Sequence, residues 1–188
     1  MPTLIEAQKR QREHDREFHQ DIYTLPYPDR INHYTLHFTK YVGRLSHEYT
    51  DEEQLESQLE KTLADSFIVS IAAANTLSLD IEENLSDMFG LEAVDIEDWC
   101  NQLNQSGETM SSKEIQEWWF EHMAAPAGHM ANALESLDHM ESVNVRDILE
   151  ENTVEIISIL LIVADMSQMD LMEVAEDRWK VIEENSVL

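Results

Sequence analysis

Five carboxylates, four of them in pairs at helical spacing, are the first residues in this sequence that could do chemistry. Asp65 and Glu155 each stand in an apolar stretch, where a carboxylate needs a cation, a basic side chain or a proton. Glu135 lies three residues before Asp138 and Glu151 four residues before Glu155, so the members of each pair share one helix face. The candidate ligands for a hard cation such as Mg²⁺ are Asp65, Glu135, Glu151 and Glu155. The alternative is that they lie on solvated faces.

A second group of side chains is basic. His37, Lys40 and Arg44 follow one another at spacings of three and four, so they share a helix face. Together they are candidate substrate-binding residues that would hold a phosphate group. The competing interpretation is structural, with Lys40 and Arg44 forming internal ion pairs to Asp65 and Glu155.

Histidine spacing offers a third kind of chemistry. His33 and His37 are four residues apart on a predicted helix, a spacing that suits two ligands of a transition metal. No third ligand is identifiable from the sequence. Zinc-finger, Walker-type and serine-hydrolase motifs have no counterpart in the chain.

The composition sets limits on fold and partners. The 188 residues are 43% hydrophobic, and only four glycines and four prolines are present, which indicates an all-α protein with a substantial core. The 39 acidic and 12 basic residues give a formal net charge of −27, which disfavours binding to nucleic acid. Such acidity is typical of a salt-rich, halophilic cytoplasm, and a basic partner is the other explanation.

Compartment and membrane expectations follow from two further features. The single cysteine, Cys100, cannot form an internal disulfide, which favours a reducing compartment. The N-terminal segment lacks an apolar signal core, and the longest apolar run, 156–163, is too short to cross a bilayer. We therefore expect a cytoplasmic protein without a membrane partner.

Helix starts and stops predict the elements that must position these groups. Helices are expected at 3–22, which faces solvent, at 30–48, 51–77, 112–124 and 129–141, and from Asn144 or Asp147 to about Ser167. Capping boxes are predicted at Thr50 with Glu53 and at Ser111 with Glu114, and caps at Asp29, Asp80 and Asp170. The aspartates Asp80 and Asp170 each begin a second, acidic helix.

Two segments of the chain share one pattern. Residues 62–89 align with residues 152–179 without a gap, so that Ala74 falls on Ala164 and Asp80 on Asp170. Half-domains that cannot cover their own apolar faces have a physical reason to occur in pairs. The sequence therefore predicts a tandem helical bundle of two pseudo-symmetric halves, residues 1–105 and 106–188, with a homodimer as a further possibility.

Several motifs resemble a known family. Residues 16–19 (Arg-Glu-Phe-His), 42–43 (Val-Gly), 63–65 (Leu-Ala-Asp) and 79–83 (Leu-Asp-Ile-Glu-Glu) resemble the MazG-like all-α nucleoside triphosphate pyrophosphohydrolases. The resemblance covers residues 14–90, and residues 129–184 resemble the family's second half. It implies Mg²⁺-dependent conversion of a nucleoside triphosphate to the monophosphate and pyrophosphate, with the metal held by carboxylates on facing helices.

The motif glutamates of that family are replaced here. They fall on Lys40, Tyr41 and Arg44, and a fourth falls on Thr62, while Asp65 matches. Three functions therefore remain open. The first is a divergent MazG-like pyrophosphohydrolase, the second a catalytically inactive binding or regulatory protein of the same fold, and the third a transition-metal binder using histidines.

Overall fold

The computed structural model describes residues 2–104 and 110–186, and within these ranges the chain forms nine α-helices and no β-strand. The all-α prediction is confirmed, and the helices form a compact bundle. Their bounds are α1 (Leu4–Phe18), α2 (Gln20–Tyr23), α3 (Tyr27–Leu45), α4 (Glu52–Leu77), α5 (Ile81–Phe89), α6 (Ile96–Leu103), α7 (Ser112–Asp138), α8 (Val145–Met166) and α9 (Leu171–Asn185).

Two helices, α4 and α8, lie against each other at the centre of the bundle. From residue 62 to 74 only Val69 is less than fully buried, and from 152 to 164 only Glu155 and Ile162 are. A helix that is apolar nearly all round must be surrounded by other elements. Helices α3 and α7 pack on this pair and on each other, while α1 and α9 cover α4, and α6 covers α8. One continuous hydrophobic core joins residues of both predicted halves.

The turns after α4 and α8 have the same geometry. Ser78 and Gln168 adopt left-handed conformations, with φ of 62° and 54°. In each turn the next residue donates its amide to a carbonyl five positions earlier, at N–O distances of 3.0 and 2.9 Å. Two residues after Ser78 and Gln168, Asp80 and Asp170 accept amides from the first turns of α5 and α9 and cap these helices as predicted.

Other helix starts match the sequence prediction only in part. Ser111 and Glu114 form the predicted capping box of α7. The predicted box at Thr50 is wrong by one residue, because Asp51 caps α4 by accepting the amide of Gln54. The cap predicted at Asp29 is also wrong, since α3 already begins at Tyr27 behind a proline.

Helix α7 is continuous, although the sequence predicted a break near Pro126 and Gly128. A proline inside a helix removes one hydrogen bond and costs about 3 kcal/mol. Here Met123, Ala127 and Met130 continue one buried stripe through that point. Packing of the stripe against α3 and α8 compensates for the lost bond.

The prediction that helix α1 faces solvent is right for one of its faces only, because the other face is buried against α4. The buried face carries polar side chains, and for this reason its hydrophobic periodicity is weak. Gln8 donates to the carbonyl of Leu79 at 2.8 Å, and Gln11 accepts from the indole of Trp179 at 2.7 Å. Hydrogen bonds replace apolar contacts along this seam.

In the described ranges, no single helix is both long enough and apolar enough to span a membrane. Helices α4 and α5 meet these criteria only when they are joined, and their axes are bent by 98° at the break. The apolar side chains of α4 point into the protein core.

Candidate functional site

Asp65 on α4 lies at the centre of an ion-pair network. Its side chain is 9% exposed, and each carboxylate oxygen accepts from an arginine. Arg44 Nη1 lies 2.8 Å from Oδ2, and Arg178 Nε lies 2.6 Å from Oδ1. The two guanidinium groups thus provide the countercharge that this buried carboxylate needs.

Three helices bring these groups together. Arg44 lies in the last turn of α3, where a cation also interacts favourably with the helix dipole. Arg178 lies on α9, and both α3 and α9 pack against α4. The neighbouring residues Tyr41 and Trp179 are buried and fix the two helices in place. Each arginine is therefore held at its base while its head reaches the surface.

Lys40 extends the positive charge beside Arg44. Its ammonium lies 3.0 Å from His37 Nδ1 and 4.8 Å from the centre of the Tyr41 ring. Partial burial, followed by the positive charge of Arg44, lowers the pKa of Lys40. Burial, followed by Lys40, lowers the pKa of His37 to about 4, so this imidazole is neutral near pH 7 and accepts from the ammonium.

The positive charge of this site exceeds its negative charge. We call Lys40, Arg44 and Arg178 the cationic cluster; with Asp65, three positive charges and one negative charge leave a formal charge of +2. These three residues are a quarter of the 12 lysines and arginines in a chain of net charge −27. The side chains of Arg44 and Arg178 are 31% and 27% exposed. Part of each guanidinium therefore remains open to an anion from solvent.

The other sequence-predicted carboxylates lie elsewhere. Glu135 and Glu151 are exposed, and Glu135 lies 4.0 Å from His139, the residue that caps the C-terminus of the same helix. Glu155 is half-buried on α8, and no lysine or arginine of the described ranges forms an ion pair with it. The structure thus brings Arg44 to Asp65 but brings neither Lys40 nor Arg44 to Glu155.

The arrangement does not fit a magnesium ion as it stands. Mg²⁺ needs several oxygen ligands in an octahedron, and no three His, Cys, Asp or Glu side chains of the described residues converge on one point. Both oxygens of Asp65 already accept from arginines. No third His, Cys, Asp or Glu side chain of the described residues forms a ligand set with His33 and His37, whose ring centres are 4.5 Å apart.

Sequence reasoning did not identify Arg178. It stands 113 residues from Asp65, and no motif includes it. The one available signal is its place next to Trp179, an aromatic residue in the second of the two segments that align in the sequence. That signal predicts burial nearby and gives no information about the partner.

Comparisons with known proteins give no relative for this chain. No protein-family model, no curated protein and no solved structure matches it.

Proposed function

We propose that this protein is a binding module that holds a phosphate-bearing ligand, specifically a nucleotide, at the cationic cluster without hydrolysing it. The observation that carries the proposal is the concentration of Lys40, Arg44 and Arg178 around one carboxylate in a strongly acidic chain. Arginine matches phosphate with paired donors, and lysine adds a compact charge. An anion is attracted to this point and repelled from most of the remaining surface.

The environment of Asp65 favours binding over hydrolysis. Pyrophosphate release of the MazG kind depends on carboxylates that are free to hold Mg²⁺ beside the triphosphate. Here the countercharge of Asp65 comes from Arg44 and Arg178, and Lys40 stands close by. This pairing supports the inactive form of the fold, one of the two MazG-like functions that the sequence left open.

A divergent MazG-like origin by tandem duplication is part of the same proposal. Its support is the pair of equivalent turns at Ser78 and Gln168, each followed after two residues by a capping aspartate. A further parallel is that α3 packs on α4 as α7 packs on α8. In this interpretation Asp65 corresponds to Glu155, and among the described residues only the carboxylate of the first copy has gained arginine partners.

The test measures binding and turnover in parallel. Fluorescent ATP is titrated into the protein, and release of pyrophosphate and monophosphate is followed with Mg²⁺ and with Mn²⁺. We expect saturable binding of the fluorescent ATP. An unlabelled nucleotide should displace it, and the uncharged nucleoside should not. We expect no pyrophosphate or monophosphate above background. Lys40→Ala weakens binding about three- to tenfold, which corresponds to about 0.6–1.4 kcal/mol.

The matched control is Lys113→Ala, which removes the same charge from an exposed residue on α7. It leaves nucleotide affinity unchanged if the cationic cluster is the binding site. An equal loss in both variants, or no saturable binding in the parent protein, contradicts the proposal. Turnover that needs a divalent metal and is lost in Asp65→Asn replaces it with the hydrolase function.

A further inference from the structure

A groove runs beside the C-terminal turn of α8, and its α4 wall adjoins the cavity that Arg178 borders. It consists of two adjoining cavities of about 320 and 550 Å³ that share Gln168 and Met169. Helix α6 and the start of α9 border the first cavity, and the first turns of α4 and α7 border the second. We call these two cavities together the α8 groove.

The walls of the α8 groove carry charge of one sign. Six lining residues have carboxyl groups, and no described lining residue is a lysine, arginine or histidine. These carboxylates are Glu53, Glu56, Glu60, Glu97, Asp165 and Asp170. With a formal charge of −6 between low-dielectric walls, the groove attracts a basic ligand and repels an acidic one.

The apolar part of the groove is rich in methionine. Besides the buried Ile96, Ile115 and Leu171, the lining includes Met110, Met169 and Met172, which are partly buried, and Met166, which is buried. Methionine is unbranched and polarizable, so such a surface adapts to apolar side chains of different shapes. A small inorganic cation would make no use of these side chains, whereas an amphipathic peptide would.

We infer that the α8 groove docks a basic amphipathic helix of a partner protein. The apolar face of the helix would lie on the methionines, and its lysines and arginines would face the six carboxylates, as in helix-in-groove recognition. Charge complementarity selects this occupant over a nucleic acid or a second copy of this chain, which itself carries −27. The partner would thus bind next to the anion site, because Ser57 and Glu60 line both the groove and the cavity that Arg178 borders.

The test uses a labelled peptide of Lys and Leu arranged as an amphipathic helix, with fluorescence anisotropy as the readout. Its comparison is a scrambled peptide of the same composition without a continuous apolar face. We expect the ordered peptide to bind at least about tenfold more tightly than the scrambled one, because only the first presents both faces together. Affinity falls as salt rises, but binding persists through the apolar contacts.

Two protein variants locate the binding surface. The first variant removes three exposed charges from the groove and is Glu53→Gln/Glu56→Gln/Glu60→Gln. Its matched control removes three exposed charges elsewhere and is Glu13→Gln/Glu17→Gln/Glu121→Gln. We expect about a tenfold loss of peptide affinity in the first variant and less than about a twofold loss in the second. Met169→Gln also weakens the ordered peptide and leaves the scrambled one unchanged.

Three outcomes would overturn the inference. One is equal affinity for both peptides, which shows non-specific attraction of a polycation to an acidic protein. A second is equal loss in the two triple variants. The third is a dimer in sedimentation that Met169→Gln dissociates, which would assign the groove to a second copy of the chain.

Discussion

Arg178 and Asp65 stand 113 residues apart in the chain, and Arg178 Nε donates to Asp65 Oδ1 across 2.6 Å. This contact joins α9 to α4 at the same carboxylate that Arg44 reaches from α3. Three helices therefore share one ion-pair network. Because the carboxylate is buried while both arginines remain partly exposed, the loss of Asp65 and the loss of one arginine have different consequences.

Asp65→Asn leaves two guanidinium groups without their carboxylate. Breaking a buried pair costs about 3–5 kcal/mol, and partial exposure of both arginines reduces the expected loss here to about 2 kcal/mol of unfolding free energy. Urea unfolding measures it. The control is Asp177→Asn, which removes an exposed partner of Lys180 and costs less than about 0.5 kcal/mol. Equal losses in the two variants would show that the network does not stabilise the fold.

Magnesium should have little effect on the thermal stability of the protein if Arg44 and Arg178 neutralise the charge of Asp65. A metal that binds only the folded state raises the melting temperature by mass action. We expect excess Mg²⁺ or a chelator to change the Tm by less than about 1 °C, measured by differential scanning fluorimetry. A rise of several degrees with Mg²⁺ that is absent in Asp65→Asn would instead assign a metal site to this carboxylate.

The left-handed turns predict two parallel effects. Ser78→Gly and Gln168→Gly relieve the steric cost of positive φ and so stabilise the folded state. The larger conformational entropy of glycine in the unfolded chain offsets part of this gain. Each substitution should stabilise the protein by about 0.5 kcal/mol in thermal or urea unfolding. Ser46→Gly is the control, because Ser46 ends α3 at φ −77° and gains no such relief. Opposite signs at Ser78 and Gln168 would contradict equivalent turns.

His14 predicts a pH dependence of stability. It is buried between α1 and α9, and neither of its ring nitrogens forms a hydrogen bond with the residues described. Burial, then the charges of His19 and Arg10, lowers the pKa of His14 to about 4, although Glu183 opposes this. Since the unfolded chain binds a proton near pH 6.5 and the folded chain only near pH 4, stability is lost as pH falls through this window.

His14→Phe removes this dependence and tests it. Two unsatisfied nitrogens disappear, so we expect the variant to be about 1 kcal/mol more stable than the parent near pH 7, with the advantage growing toward pH 5. Burial raises the pKa of Asp15 to about 6, which stabilises the fold as pH falls from about 6 toward 4. The difference between parent and variant isolates His14 from this opposing effect. A difference in stability between His14→Phe and the parent that does not change with pH would contradict the prediction. The control is His139→Phe, which replaces an exposed histidine.

Local signals were sufficient for much of the fold. Asp80, Asp170 and Ser111 were identified as caps because a cap depends on the three or four residues that follow it. The dense apolar pattern in the second half of α4 is typical of a helix at the centre of a bundle, and α4 does lie there. The continuity of helix α7 through Pro126 was not predictable from the sequence, because it depends on packing against neighbouring helices.

The candidate site was only partly predictable. The pairing of Arg44 with Asp65 was one of two interpretations that the sequence left open, because an apolar setting required a countercharge for the carboxylate. Arg178 was missed because the register between α4 and α9 depends on tertiary packing. Exposed Glu135 and Glu151 show the other limit, since helical spacing places side chains on one face but does not decide whether that face is covered.

The dependence of α4 on α9 has a consequence for synthesis on the ribosome. Trp179 and Arg178, which cover Gln11 and Asp65, are translated long after the helices that they contact. Until then a newly made α4 exposes apolar surface and a carboxylate with an incomplete set of partners. The core around α4 is therefore completed only after α9 has left the exit tunnel.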